Sequence, residues 1–230
     1  MTNEAYNIDC MKYMKDCPDK FFDLAIVDPP YGGTGNENQS KYKTRFGGRF
    51  DKYKTVERTG GTWSKKHKRK IIDWDIAPSK EYFTELFRVS KNQIIFGGNY
   101  FDLPPTRCFI VWEKLTISEK FSMAMCEYAW TSFFSNAKLF KYAPQNSSRF
   151  HPTQKPEELY KWILQNYAKN GDKILDTHLG SGSSRIAAYD MGFDFIGTEI
   201  DKEYFDKQEK RFKEHCAQGS LFEFQGGMCI

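Results

Sequence analysis

Residues 173–184 are KILDTHLGSGSS, and this stretch decides the fold. The apolar run that ends at Asp176 predicts a buried strand, and Gly180 and Gly182 predict a turn that leads into a helix. Such a turn presents backbone N–H groups to an anion, and its glycines let a ligand approach the backbone closely. Glu199 ends the next predicted strand, where a carboxylate accepts hydrogen bonds from both hydroxyls of a ribose. The stretch therefore predicts a site for a nucleoside that carries an anionic group.

Two alternatives compete for this loop. A dinucleotide-binding dehydrogenase uses related geometry, but its third small residue is replaced here by Arg185, which would crowd the packing of helix on strand. An ordinary strand–turn–helix connection with convenient glycines is the structural alternative. Asp176, directly before the loop, favours a nucleoside that carries a positively charged sulfonium.

A second apolar run, residues 22–28, ends in the motif DPPY at residues 28–31. An exocyclic amine is a poor nucleophile because its lone pair is delocalised into the ring, so its hydrogens must be drawn out of that conjugation. The Asp28 carboxylate and the Pro29 carbonyl can each accept one of them, while Pro30 stiffens the turn and Tyr31 offers a face on which a base stacks. This chemistry needs no metal ion, but a base in a duplex must be flipped out. A simple strand-ending turn is the structural alternative.

The remaining periodicity predicts an α/β fold. Helices are expected after residue 79, from Pro156, over residues 183–191 and from Lys202. Seven strands are expected, at residues 6–9, 22–28, 93–97, 108–112, 127–134, 173–176 and 193–199. Strands that alternate with helices predict a mostly parallel sheet that is covered on both faces.

Length and composition narrow the class of protein. A chain of 230 residues fits one domain over residues 1–230. No membrane span or secretory signal is recognisable, so the chain is expected in the cytoplasm, with no membrane partner. The six cysteines form no Cys-x-x-Cys pair, which argues against a zinc site and against a disulfide framework. No metal site is expected.

Positive charge is concentrated in one segment. Residues 41–70 hold twelve Lys and Arg against two acids, whereas the whole chain carries only +4. A basic block on an acidic body predicts a polyanion partner, and a solvated lysine-rich loop is the alternative. We expect residues 32–75 to form a DNA-contacting loop. Its candidate contacts are Lys41, Lys43, Arg45, Arg49, Lys65, Lys66, Lys68, Arg69 and Lys70.

Taken together, these motifs resemble the beta group of DNA amino-methyltransferases, the N6-adenine and N4-cytosine enzymes in which the catalytic motif precedes the cofactor motif. Residues 28–31 match the catalytic motif, residues 151–156 (HPTQKP) match the motif before the cofactor half, and residues 176–183 and 195–201 match the cofactor strands. The resemblance implies a circularly permuted, Rossmann-like fold with one antiparallel strand, S-adenosylmethionine as cofactor, and double-stranded DNA as substrate.

The motifs and the resemblance together assign residues to two functions. The catalytic residues are Asp28, Pro29, Pro30 and Tyr31. The cofactor residues are Asp9, Cys10, Asp28, His151, Thr153, Lys155, Asp176, Gly180, Ser181, Gly182, Ser183, Glu199 and Ile200. By analogy with the family, Lys155 pairs with the carboxylate of the cofactor.

The sequence departs from the family at two places. Thr177 and His178 stand where the family usually has Pro-Phe, and the usual target-recognition region before His151 is nearly absent, so the basic segment is the candidate for base recognition. Aspartate at position 28 favours adenine, because cytosine enzymes more often begin this motif with serine. Cytosine N4 methylation, a non-catalytic DNA-binding relative, and an RNA or protein-glutamine methyltransferase are the alternatives. A homodimer and a cognate restriction endonuclease in a prokaryotic or phage-encoded system are candidate partners.

Overall fold

The computed structural model describes residues 1–31, 76–119, 124–144, 150–151 and 153–226, with side chains up to residue 218. The chain divides into two compact units. One unit is Met1–Pro29 together with Lys80–Ile230, and the other is Pro30–Ser79. Most of the second unit lies outside the described residues, so a single domain over residues 1–230 stays a prediction.

The first unit is built on a mostly parallel sheet. Its strands are β1 (Asn3–Tyr6), β2 (Phe22–Val27), β3 (Ser90–Phe96), β4 (Phe109–Lys114), β5 (Cys126–Thr131), β6 (Lys138–Tyr142), β7 (Lys173–Asp176) and β8 (Asp194–Thr198). Their order across the sheet is β1-β8-β7-β2-β3-β5-β4-β6. Only β5 runs antiparallel to its neighbours in this sheet. The predicted α/β class with one antiparallel strand is confirmed.

The described sheet has eight strands rather than the seven predicted. The additional strand is β6, an edge strand beside β4 whose residues alternate between half-buried and exposed. None of its five residues is fully buried, so the apolar periodicity is weak. The first predicted strand, residues 6–9, is also displaced, because Asp9 caps the short helix α1 (Cys10–Lys15) by accepting hydrogen bonds from the N–H groups of Met11 and Lys12.

Helices cover both faces of the sheet. They are α1, α2 (Lys80–Val89), α3 (Glu157–Tyr167), α4 (Ser183–Asp190) and α5 (Lys202–Gly226). Alternate residues of β2 enter opposite cores: Leu24 and Ile26 pack in the core that includes residues of α3 and α4, and Ala25 and Val27 pack in the core that includes residues of α1 and α2. Among the described residues, no helix is both long and apolar enough to cross a membrane.

The direction of the connections reverses between β2 and β7. The chain leaves β2 towards β3 on one side, passing through α2, and it leaves β7 towards β8 on the other side, passing through α4. Open α/β sheets bind ligands outside the carboxyl ends of the strands at such a reversal, because the two departing connections leave a crevice between them. The residues that end β7 and follow β2 are therefore placed to line a ligand site.

Leu86 anchors α2 to the sheet and is 0% exposed. We expect Leu86→Ala to lower the free energy of unfolding by about 2–5 kcal/mol, because it removes buried methyl groups and leaves a cavity. Urea unfolding followed by circular dichroism measures this loss. Thr84→Ala, on the exposed side of the same helix, is the control. Equal stability of the two variants would contradict this assignment of the core.

Candidate active site

Four carboxylates come to the carboxyl edge of the sheet because they end or follow four adjacent strands. Asp9 lies beyond β1, Glu199 follows β8, Asp176 ends β7 and Asp28 follows β2. Asp28 and Asp176 flank the reversal between β2 and β7. The structure thus brings the predicted catalytic carboxylate and the predicted cofactor carboxylates to one edge.

Asp176 is buried, with 2% of its surface exposed. Its carboxylate accepts hydrogen bonds from the Ser184 hydroxyl at 2.5 Å and from the backbone N–H of His178 at 3.0 Å. Burial raises the pKa of this carboxyl to about 7, and the negative charges of Asp28 and Glu199 add to the rise, against the lowering effect of the two hydrogen bonds. A cation that approached Asp176 would favour its ionised form.

The glycine loop and Glu199 hold each other in place. Gly180 and Gly182 have φ of +52° and +76°, in the left-handed region that favours glycine. The Gly180 N–H donates to Glu199 Oε2 at 2.8 Å, and the Asp201 N–H donates to Oε1 at 2.9 Å. Burial raises the pKa of Glu199. The carboxylate predicted to bind ribose is therefore fixed in direction by backbone amides.

Ser181 and Ser183 are fixed by a residue from the last helix. Their hydroxyls lie 3.2 Å apart, and the Arg211 guanidinium donates to the Ser181 carbonyl at 2.7 Å and to the Ser183 hydroxyl at 3.1 Å. Arg211 also pairs with Glu157 at 2.5 Å. The loop thus keeps its shape through contacts with α3 and α5.

His151 lies over the glycine loop. A β-carbon at position 180 would stand 3.4 Å from the His151 ring, an ordinary van der Waals distance, so the ring packs directly on this part of the loop. The Thr153 hydroxyl is 3.2 Å from His151 Nδ1, and the ring meets Tyr204 edge-on at 4.4 Å. The structure therefore brings His151 and Thr153 to the loop predicted to bind the cofactor.

Thr177 and His178 are joined to α2 by a short polar chain. The Tyr82 and Thr177 hydroxyl oxygens are 2.6 Å apart, and Thr177 Oγ1 is 2.9 Å from His178 Nδ1. The His178 ring also contacts Tyr82 edge-on at 5.3 Å. Burial lowers the pKa of His178 to about 4, so this side chain is neutral at physiological pH. The departure from the family pattern places a neutral polar group beside Asp176.

Asp28 takes part in a buried network of charges. The Lys155 ammonium pairs with Asp28 Oδ2 and lies 3.1 Å from Glu127 Oε2, and Lys114 lies 2.6 Å from Glu127 Oε1. Lys155 Nζ also stands 4.6 Å from the centre of the Phe96 ring. Two ammonium groups and two carboxylates therefore balance each other beside the turn that follows β2.

The charges of this network keep each other ionised. Burial by itself would raise the pKa of Glu127, but Lys155 and Lys114 outweigh burial and hold that pKa at about 2. Burial would lower the pKa of Lys155, but Asp28 and Glu127 outweigh it and raise that pKa. In this structure Lys155 pairs with protein carboxylates, and its pairing with a cofactor carboxylate stays a prediction.

The other predicted residues are placed less centrally or lie elsewhere. Asp9 caps α1 and Cys10 is half-buried directly after it, with a pKa that burial raises to about 12. Ile200 is 64% exposed. Pro30 and Tyr31 belong to the second unit, and their role stays a prediction. The nine predicted DNA-contacting residues of segment 41–70 lie outside the described residues.

Glu127, Lys114 and Tyr82 take part in the contacts of the site but are not predicted as site residues from the sequence. Glu127 begins the predicted strand 127–134, and Lys114 ends the observed strand β4, two residues beyond the predicted one. A charged residue at the end of an apolar strand is the signal that the sequence offers. Tyr82 fits an apolar position of an amphipathic helix, so the pattern does not indicate the contact of its hydroxyl with Thr177. In the part of the chain that the structure describes, no group of three or more His, Cys, Asp or Glu is arranged to hold a metal ion.

The sequence matches a known family of proteins. The sequence model of the N6/N4 DNA methylase family matches residues 49–210, a range that begins after the turn at residues 28–31. Type II methyltransferase M2.DpnII of Streptococcus pneumoniae is 44% identical over 63 residues, which are 27% of this chain and 24% of that protein. Type II methyltransferase M2.LlaDCHI of Lactococcus lactis subsp. cremoris is 39% identical over 69 residues, which are 30% of this chain and 26% of that protein. The matches thus span about a quarter of each relative.

Solved structures resemble the fold over nearly the whole chain. The M1.HpyAVI–SAM complex superposes with a TM-score of 0.56 at 19% identity, over 90% of this chain and 98% of that one. TTHA0409 of Thermus thermophilus superposes with a TM-score of 0.56 at 15% identity, over 93% of this chain and 96% of that one. PvuII DNA methyltransferase, described as cytosine-N4-specific, superposes with a TM-score of 0.54 at 11% identity, over 94% of this chain and 91% of that one. At these identities the likeness shows a shared methyltransferase fold.

The pKa of Asp176 predicts a pH-dependent stability. Because the pKa is raised in the folded state, the folded protein binds the proton more tightly, and stability is lost as pH rises from about 4 to about 7. Asp176→Asn removes this loss, so its stability relative to wild type should rise by on the order of 1 kcal/mol per pH unit between pH 5 and 7.

Urea unfolding at a series of pH values measures this difference. Asp23→Asn is the control, because Lys91 and the Lys173 N–H outweigh burial and lower the pKa of Asp23, so its effect should be constant over that range. A difference between Asp176→Asn and wild type that does not change with pH would contradict the raised pKa.

Proposed function

Because the chain belongs to the N6/N4 DNA methylase family, we propose that it transfers a methyl group from S-adenosylmethionine to N6 of an adenine that is flipped out of DNA. The observation that carries this proposal is the placement of Asp28 and Asp176 on either side of the reversal between β2 and β7. A base activated by the first and a cofactor held beside the second would meet in one crevice.

The residues beside β7 and β8 fit S-adenosylmethionine. The left-handed glycines of the loop leave room for a ligand close to the backbone. Glu199, which follows the next strand, has a carboxylate that backbone amides hold in place and that could accept hydrogen bonds from the ribose hydroxyls. Asp176 receives hydrogen bonds from neutral donors, so its charge is suited to balance the positive charge of the cofactor. When bound, the cofactor supplies an electrophilic methyl carbon.

Asp28 prepares the base. Its carboxylate and the Pro29 carbonyl would each accept a hydrogen bond from the exocyclic amine, which directs the nitrogen lone pair out of the ring and towards the methyl carbon. In this structure the Lys155 ammonium pairs with one oxygen of that carboxylate, Oδ2. Bound S-adenosylmethionine would supply its methyl carbon to the nitrogen, sulfur would keep the electron pair of the carbon–sulfur bond, and the nitrogen would release one proton to solvent. No covalent bond to the protein is required.

Adenine is the proposed target because the motif begins with aspartate at position 28. Cytosine N4 is the second candidate, favoured by the presence of both classes in the family and by the fold shared with a cytosine-N4-specific enzyme. Double-stranded DNA in the cytoplasm of a prokaryote or phage-infected cell is the proposed substrate. The resemblance to Type II methyltransferases supports a cognate restriction endonuclease as a functional partner, and a homodimer is the proposed assembly.

We further propose that the basic segment within residues 32–75 contacts DNA. Residues 41–70 carry twelve Lys and Arg against two acids, and the segment 32–75 begins directly after Tyr31 in the sequence. Neutralising phosphates with such a segment releases counterions and supplies affinity that does not depend on sequence. Because the usual recognition region before His151 is nearly absent, this segment is also the proposed place of base recognition.

Asp28→Ala tests the proposed reaction. We expect it to abolish methyl transfer because the acceptor for the target amine is lost, while binding of S-adenosylmethionine largely survives through the glycine loop, Asp176 and Glu199. The assay incubates protein with methyl-labelled cofactor and DNA, digests the DNA to nucleosides, and separates them, while calorimetry measures cofactor binding. Asp19→Ala, whose side chain is 76% exposed and pairs with Arg88 ahead of β2, is the control and should keep turnover.

The outcomes distinguish the candidate functions. Labelled N6-methyladenine is expected from the wild type. Methylcytosine as the sole product would show that the target base is cytosine rather than adenine. Transfer to tRNA or protein rather than DNA would overturn the substrate class. A wild-type protein that binds DNA without any transfer would instead be a non-catalytic relative.

Neutralising the basic segment tests DNA contact. We expect replacement of Lys65, Lys66, Lys68, Arg69 and Lys70 by glutamine to weaken DNA binding and to reduce the slope of log affinity against log salt by up to about 4. Fluorescence anisotropy at several salt concentrations measures both. Replacement of Lys202, Lys207 and Lys210, exposed on α5, is the control. An unchanged salt slope would make the segment a solvated loop.

A further inference from the structure

One buried acceptor at the site is not used by any hydrogen bond among the described residues. Glu127 Oε2 is shielded from solvent and has no hydrogen-bond partner there, although Lys155 Nζ lies 3.1 Å away at ion-pair distance. The other oxygen, Oε1, is 2.6 Å from Lys114 Nζ. Glu127 is therefore held by the Lys114 ammonium through Oε1, while Oε2 already lies at ion-pair distance from the Lys155 ammonium.

Lys155 needs an anion at all times. Its side chain is 2% exposed, and a buried ammonium without a counter-ion is strongly unfavourable. Asp28 supplies that anion in this structure, with a direct hydrogen bond from Lys155 Nζ. The proposed reaction needs the same carboxylate to accept hydrogen from the target amine, and a positive charge bonded to a carboxylate weakens it as an acceptor for a further partner.

We propose that Glu127 is a positioning residue that receives the Lys155 ammonium from Asp28 when the target amine binds. This inference rests on the proposed function of Asp28. As Lys155 turns to Glu127 Oε2, Asp28 becomes the full acceptor for the amine, and the ammonium is never left without an anion. Lys114 holds Glu127 in place during the exchange, so two positive and two negative charges stay balanced.

The fold supplies the geometry for this exchange. Because β5 runs antiparallel to β4, the start of β5 lies at the edge where β4 ends, which brings Glu127 beside Lys114. The same edge carries Asp28 after β2 and Phe96 at the end of β3. Lys155 Nζ stands 4.6 Å from the centre of the Phe96 ring, whose face supports a cation between the two carboxylates.

Glu127→Gln tests the exchange in solution. It removes the receiving charge but keeps the size of the side chain, so Lys155 stays on Asp28. We expect kcat to fall about tenfold or more, which is the scale of one lost charged hydrogen bond, while the Kd for S-adenosylmethionine stays within about twofold. Glu127→Asp, which restores the charge, should regain part of kcat. Glu113→Gln is the matched control on β4, where Glu113 pairs with Lys141, and should keep wild-type kcat.

A structure of the wild type needs no variant to fold and tests the same step. In a crystal with target DNA and S-adenosylhomocysteine, Lys155 Nζ should be hydrogen-bonded to Glu127 Oε2 and withdrawn from Asp28. Lys155 still bonded to Asp28 beside the flipped base would overturn the exchange, as would wild-type kcat in Glu127→Gln. Absence of methyl transfer by the wild type itself would instead refute the proposed function.

Discussion

The reversal of chain direction between β2 and β7 is the constraint on which the site depends. Neighbouring parallel strands end at one edge, and the connections from β2 and β7 continue to strands on opposite sides, which places Asp28 and Asp176 on either side of the reversal. Both strands are buried between two layers of helices, so the two carboxylates are held by rigid elements.

The two carboxylates are treated differently by their surroundings. Asp28 shares a lysine ammonium with Glu127, and this keeps charges ionised in a place with little water. Asp176 receives hydrogen bonds from a hydroxyl and a backbone amide, and burial brings its pKa to about 7. One carboxylate is thus supplied with a cation by the protein, while the other is suited to a cation that a ligand brings.

Local patterns predicted the parts of the fold that local chemistry controls. The apolar runs ending at Asp28 and Asp176 are strands, and the glycine loop has the left-handed backbone that its glycines indicated. Edge strand β6 was missed because a strand exposed on alternate positions and paired on one side has little apolar periodicity. Helix α1 was missed because six residues are too few for a helical period to be recognised.

By itself the sequence determined the order of the motifs, the strand ends that carry Asp28 and Asp176, and the basic segment outside the described residues. Tertiary structure alone decided which distant residues meet. Lys155 is 127 positions from Asp28, and Glu127 faces both Lys155 and Lys114, contacts that no local period encodes. The physical reason is that strand order and the antiparallel direction of β5 set these contacts, and both arise from packing of the whole sheet.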